Sequence, residues 1–119
     1  MKYQIRHIAI RADDPRELAQ FYMQTFGMTE LGSNGGGRAI YLSDGHVTLA
    51  ILTSKQGAET GLDHFGFKVD NMQEVGQRAA TNGGSIKLEE VPHDGRFVEF
   101  KIKDPMGTPI DLSEAGWGQ

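Results

Sequence analysis

Polar and apolar residues alternate from Tyr3 to Arg11, with Ile8 and Ile10 on one side and His7, Ala9 and Arg11 on the other. That period of two predicts a β-strand. Asp14-Pro15-Arg16-Glu17 then has the chemistry of a helix start: Asp14 caps, Pro15 suits the first helical position and Glu17 takes the capping-box place. Leu18, Phe21, Tyr22 and Phe26 follow at helical spacing as core candidates, and Gly27 fits the helix end. Met28–Leu31 predicts a short strand. Gly32-Ser33-Asn34-Gly35-Gly36-Gly37 predicts a loop, with no Lys-Ser/Thr and no helix after it to make a phosphate cradle. Arg38–Leu42 and Val47–Thr53 predict two strands joined by the turn Ser43-Asp44-Gly45-His46.

The chain then repeats this order. His64-Phe65-Gly66-Phe67-Lys68-Val69-Asp70-Asn71 lies 57 residues after His7-Ile8-Ala9-Ile10-Arg11-Ala12-Asp13-Asp14, and Glu74 matches Glu17. A repeat of this kind indicates one supersecondary unit used twice. Leu62–Val69 predicts a strand and Asn71–Asn82 a helix, lined in part by Val75, Ala79 and Ala80 and ended by Gly83-Gly84. Strands are expected at Ser85–Val91, Phe97–Lys103 and Pro109–Ser113. Pro92-His93-Asp94-Gly95 and Asp104–Thr108 are expected turns, and Glu114–Gln119 a frayed tail whose Trp117 packs onto the body. Each half thus reads β-α-β-β-β. The fold class is α+β: two paired βαβββ modules, about 1–54 and 62–114, forming a curved mixed sheet around a cleft. At 119 residues the whole chain, 1–119, is expected to be one domain.

Composition narrows the chemistry. There is no cysteine, which excludes disulfides, thiolate metal sites and a cysteine nucleophile. The net charge of −4, with scattered Lys and Arg, gives no footprint for nucleic acid. No apolar run approaches 18 residues, so no membrane span is expected, and the start does not read as a signal peptide; the cytoplasm is the expected location.

The matched histidines, His7 and His64, are the leading chemical candidates, because the repeat would bring them together. Two imidazoles need a third ligand. Asp111 stands between apolar Ile110 and Leu112, so it faces away from both, and a carboxylate there is costly unless paired or bound to a cation. Two His and one carboxylate with open positions suit Fe(II) or Mn(II), with Zn(II) or Ni(II) also fitting. Ala50 falls opposite Asp111 in the repeat, so the first half offers no fourth ligand there. His93, Glu99 and Tyr41 are weaker candidates for acid, base or cavity-lining roles; Glu99 and Lys101 share a strand face and can pair. His46 reads as a turn residue. No Ser-His-Asp set, close carboxylate dyad or organic-cofactor motif is evident.

These residues resemble the vicinal oxygen chelate superfamily, also called the glyoxalase/bleomycin resistance/dioxygenase superfamily. The likeness rests on His7-Ile8-Ala9-Ile10, on the helix from Leu18-Ala19-Gln20-Phe21-Tyr22 to Phe26-Gly27-Met28, on His64-Phe65-Gly66-Phe67, and on Asp104-Pro105-Met106-Gly107-Thr108-Pro109-Ile110-Asp111-Leu112. The resemblance implies a metal cleft, often completed by dimerisation, with ligands at His7, His64 and Asp111. The last-strand ligand is usually Glu, one methylene longer than Asp111, and the fourth ligand of glyoxalase I and methylmalonyl-CoA epimerase falls on Ala50. The resulting expectation is a homodimeric, metal-dependent enzyme that chelates a small molecule through vicinal oxygens, most like a small extradiol-type dioxygenase. The alternatives are a lyase, isomerase or transferase of the same superfamily, or a metal-free dimeric small-molecule-binding protein like those of bleomycin resistance.

Overall fold

The computed structural model describes residues 2–55, 59–93 and 97–118, and their side chains outside 87–99. The elements run β1 (Gln4–Ala12), α1 (Pro15–Phe26), β2 (Thr29–Asn34), β3 (Ala39–Ser43), β4 (Thr48–Thr53), β5 (Gly61–Lys68), α2 (Met72–Thr81), β6 (Ser85–His93), β7 (Phe97–Lys103) and β8 (Pro109–Ser113). The order is β-α-β-β-β twice. The strands hydrogen-bond as one mixed sheet in the order β2-β3-β4-β1-β5-β8-β7-β6. Residues 1–7 and 64–117 form one compact unit, and residues 8–63 with the extreme C-terminus form another.

In the unit of residues 8–63, α1 starts as its sequence dictates. The Asp14 side chain accepts from the Glu17 N–H at 3.1 Å, and Pro15 opens the helix. Gly27 closes it in the left-handed region at φ 74°, donating its N–H to the Met23 carbonyl. The inward stripe is Pro15, Leu18, Ala19, Tyr22 and Met23, against Ile40, Leu42, Leu49 and Ile51. Phe21 and Phe26, expected in the core, are 52% and 67% exposed. The small Ala19 lets the helix sit close to the sheet, and this turns Phe21 outward, where its ring meets Tyr22 edge-on. β2 runs on through Gly32-Ser33-Asn34, read above as loop, because Gly32, Ser33 and Asn34 pair with Tyr41, Ile40 and Ala39 across a bulge. β3 and β4 pair antiparallel, Tyr41 opposite Ala50. The turn between them is held by Asp44, whose carboxylate accepts from the N–H groups of His46 and Val47; His46 is exposed, as expected.

In the other unit, Asn71 caps α2 as Asp14 caps α1, accepting from the Glu74 N–H at 2.9 Å. The inward stripe is Met72, Val75, Gly76 and Ala79, against Phe100, Ile102, Ile110 and Leu112. Ala80, expected on that side, is exposed, since it lies one residue past the stripe. β5 and β8 pair in parallel, and β8–β7 and β7–β6 pair antiparallel. Pro92 and His93 extend β6, opposite Val98 and Phe97, instead of opening a turn. The rest of that expected turn, Asp94 and Gly95, lies outside the described residues. No helix among the described residues is long and apolar enough to cross a membrane.

Replacing Asp14 with Ala leaves the Glu17 N–H without its cap and should lower stability by about 1 kcal/mol, while Asp14→Asn should cost a few tenths. Urea unfolding followed by circular dichroism checks this; equal losses for both variants would show that the cap hydrogen bond is not the source.

Candidate metal centre

Strand pairing in the unit of residues 1–7 and 64–117 sorts side chains onto two faces. Phe65 is paired with Ile110 and Phe67 with Leu112, and these pack against α2. The alternate row is Gly66 paired with Asp111, and Asp111 with Lys101, so Asp111 and Lys101 point away from the helix. His64 lies two residues before Gly66 and shares its face. His7, on β1, comes to the same place.

The three expected ligands meet. His7 Nε2 and His64 Nε2 are 3.3 Å apart. Asp111 Oδ2 is 2.9 Å from His64 Nε2 and 3.7 Å from His7 Nε2. Their side chains are 6%, 11% and 2% exposed for His7, His64 and Asp111, so they face one another rather than bulk water. Ligand atoms at about 2.0–2.2 Å from one ion stand roughly 3.0–3.5 Å from each other. The spacings fall close to that range, and two neutral imidazoles with one carboxylate are a donor set for a borderline divalent ion. The residues present therefore fit a metal ion, and they are a three-residue cluster able to hold one.

Two further residues complete the surroundings. Lys101 Nζ donates to Asp111 Oδ1 at 2.7 Å. Burial alone would push the Asp111 carboxyl up, but His64 and then Lys101 outweigh it, by hydrogen bond and by charge, and hold it well below the usual carboxylate range. Asp111 is thus a carboxylate whose two oxygens have different neighbours: Oδ1 faces Lys101 and Oδ2 faces the imidazoles. Behind His7 lies Trp117, its ring centroid 4.6 Å away and its plane tilted by 13°. Trp117 is 2% exposed. A Cβ on residue 66 would stand 2.8 Å from Trp117 Cη2 and 3.0 Å from the Asp111 carbonyl oxygen, so only glycine lets the indole sit there. The tail read above as frayed is instead pinned. Gly116 N–H donates to Ser113 Oγ, and Glu114 accepts from the Met72 N–H at the start of α2.

A family model described as Glyoxalase/Bleomycin resistance protein/Dioxygenase superfamily matches residues 4–112. The chain belongs to this superfamily. Its fold is shared by several solved structures. A hypothetical protein from Bacillus halodurans C-125 superposes with a TM-score of 0.77 at 16% identity, over 95% of this chain and 94% of the other. Methylmalonyl-CoA epimerase from Mycobacterium tuberculosis gives 0.74 at 13% identity, over 92% and 85%. The 2,3-dioxygenase LapB from Pseudomonas sp. KL28 gives 0.72 at 20% identity, over 92% of this chain and 40% of LapB. No curated protein matches the sequence.

Of the weaker candidates, Tyr41 lies in the unit of residues 8–63, buried with Ala9 and Ala50, and its hydroxyl accepts from Asn34 Nδ2 at 3.3 Å. The side chains of His93 and Glu99 lie outside the described residues. The expected pairing of Glu99 with Lys101 falls on a side chain outside the described residues, and Lys101 donates to Asp111. Lys101 and Trp117 were the members of the site that sequence reasoning missed. For Lys101 a signal was present in β7, where it alternates with Phe100 and Ile102 as Asp111 alternates with Ile110 and Leu112.

Two outcomes follow for the metal-free protein. Gly66→Ala should displace Trp117 and cost about 1–3 kcal/mol, as overpacked cores do. Trp117 is the single tryptophan, so its emission should shift red in the variant; unchanged emission and stability would show that the seat is loose. The Asp111 carboxyl is depressed on folding, so its contribution is present above about pH 4, the unfolded value, and is lost as pH falls below it. Asp111→Asn should therefore be less stable by about 2 kcal/mol at pH 7. That difference should shrink toward pH 3 in urea titrations, and a pH-independent difference would contradict this assignment.

Proposed function

We propose that this chain is a metal-dependent enzyme of the superfamily, most like a small extradiol-type dioxygenase, with His7, His64 and Asp111 as the ligands. The observation that carries the reading is the convergence of two imidazole Nε2 atoms and one carboxylate oxygen within one buried cluster. When bound, Fe(II) or Mn(II) would supply Lewis acidity toward a substrate's vicinal oxygens and redox chemistry toward dioxygen.

The chain's own residues do the rest. Trp117 stacks on His7 and fixes the plane of its ring, so Nε2 keeps one direction. Lys101 occupies Oδ1 of Asp111 and leaves Oδ2 toward the imidazoles. Gly66 keeps the backbone beside Asp111 bare enough for the indole to close that side and keep water off it. Partners that orient a ligand in this way typically change metal affinity 10- to 100-fold when removed. The substrate is a small molecule, and a homodimer is part of the same proposal, on the family resemblance. Ala50 at the position opposite Asp111 favours a three-residue set over the four-ligand centre of glyoxalase I.

The test is metal content by mass spectrometry of anaerobically purified protein beside His64→Ala. About one Fe or Mn per chain, lost in the variant, is the expected result for a facial two-His, one-carboxylate site. Oxygen uptake with catechols should then follow. A loaded protein without uptake would remove the dioxygenase reading in favour of a lyase, isomerase or transferase. Absence of uptake of Fe(II), Mn(II), Ni(II) and Zn(II) would remove the metalloenzyme and leave small-molecule binding.

A further inference from the structure

Beside the cluster, in the unit of residues 1–7 and 64–117, is a cavity of about 330 Å³ lined by Ser85, Ile86, Lys101, Ile102, Lys103 and Pro109. Ser85 is paired with Lys103, Lys103 with Pro109, and Lys101 with Asp111, so by alternation these side chains share the Asp111 face. Ile102 packs toward α2, yet no residue of α2 lines the cavity, which therefore opens on the face opposite the helix.

The charge of this cavity is one-sided. The chain has a net charge of −4, but the lining holds two lysines and no acid. Lys101 Nζ is turned to Asp111 Oδ1, which ties the inner end of the cavity to the cluster. Lys103, at the outer end, is exposed, and no carboxylate of the described residues stands within ion-pair distance of it. Asp104, next in the chain, accepts from the Met106 and Thr108 N–H groups of its own turn. From Asp111 to Lys103 is one strand across and two residues along, a diagonal of roughly 8 Å.

We infer that this cavity is a subsite for a remote anionic group, a carboxylate or a phosphate carried by the molecule held at the cluster, and that Lys103 receives it. This rests on the metal-binding reading above and adds a second point of attachment, away from the ion. A compact ammonium on a flexible stem suits either oxyanion, and the Ser85 hydroxyl offers a second donor on the same face. Lys103 selects the charge and length of the bound molecule's tail, so it is a specificity-determining residue and takes no part in chemistry at the ion.

The probes are the monohydroxamate of adipic acid, its methyl ester, and the phosphonate of the same length. All three share one chelating head, and only the ester has a neutral tail. Their affinities for the Zn(II)-loaded protein are measured by calorimetry for the wild type, Lys103→Met and Lys103→Arg, with zinc content determined first for each. An exposed ammonium–oxyanion pair changes affinity by up to roughly fivefold. The acid should therefore bind the wild type about that much more tightly than the ester, Lys103→Met should bring the two together, and Lys103→Arg should keep them apart. Both anionic tails support the subsite if they outbind the ester, and the tighter of the two tells phosphate from carboxylate. Zinc-loaded wild type that does not prefer the acid would overturn the inference while leaving the metal centre standing, as would a preference that survives in Lys103→Met. Loss of zinc from Lys103→Met would also overturn it, because Lys103 would then be needed to hold the ion. A wild type that takes up no zinc would remove the metal reading, and this inference with it.

Discussion

The constraint on which this structure turns is the burial of one carboxylate. Asp111 is 1% exposed, on a strand whose neighbours Ile110 and Leu112 belong to an apolar core. A charge in such a place costs several kcal/mol in lost hydration unless groups of opposite sign or ready donors replace the water. Lys101 and His64 do so, one at each oxygen, and their combined effect exceeds the cost, since the carboxyl is held below its ordinary range. The same burial gives the cluster its chemistry: three donor atoms that meet away from water are available to a cation and to little else.

The fold supplies this arrangement through the period of a strand. Each residue of β8 that points to α2 is followed by one that points away, so one strand gives Ile110 and Leu112 to the unit's core and Asp111 to its site. Register fixes which partners Asp111 meets. The pairing of Gly66 with Asp111 and of Asp111 with Lys101 sets a small residue on one side and a cation on the other. A slip of one residue in β7 would put Phe100 or Ile102 beside the carboxylate and turn Lys101 into the core. Core packing of Phe100, Ile102, Ile110 and Leu112 therefore protects the charge pairing on the opposite face.

Much of this was legible in the chain. The 57-residue offset held at the structural level, with His7 matching His64 and the caps Asp14 and Asn71 each receiving a Glu N–H three residues on. Apolar neighbours around Asp111 announced its facing. The parts that were not legible are those decided between segments. Lys101 stands beside Glu99 in the alternation of its own strand, and only the β7–β8 register gives it to Asp111. Trp117 sits in a stretch with no period, so its place on His7 depends on the space that Gly66 leaves. Phe21 fits a helical stripe as well as Ala19 does, and the closer approach allowed by Ala19 decided which of them faces the sheet.

The repeat shows what the second half changed. The row Gly66, Asp111, Lys101 has a counterpart in Ala9, Ala50 and Tyr41, since Ala9 lies 57 residues before Gly66 and Tyr41 pairs with Ala50 as Lys101 pairs with Asp111. Ala9, Ala50 and Tyr41 form a buried apolar cluster, and the Tyr41 hydroxyl takes its hydrogen bond from Asn34. A carboxylate at residue 50 would have a phenol where Asp111 has an ammonium. A single neutral donor returns far less than a full ion pair against the desolvation of a carboxylate. Alanine at 50 and tyrosine at 41 thus belong together, as aspartate at 111 and lysine at 101 do.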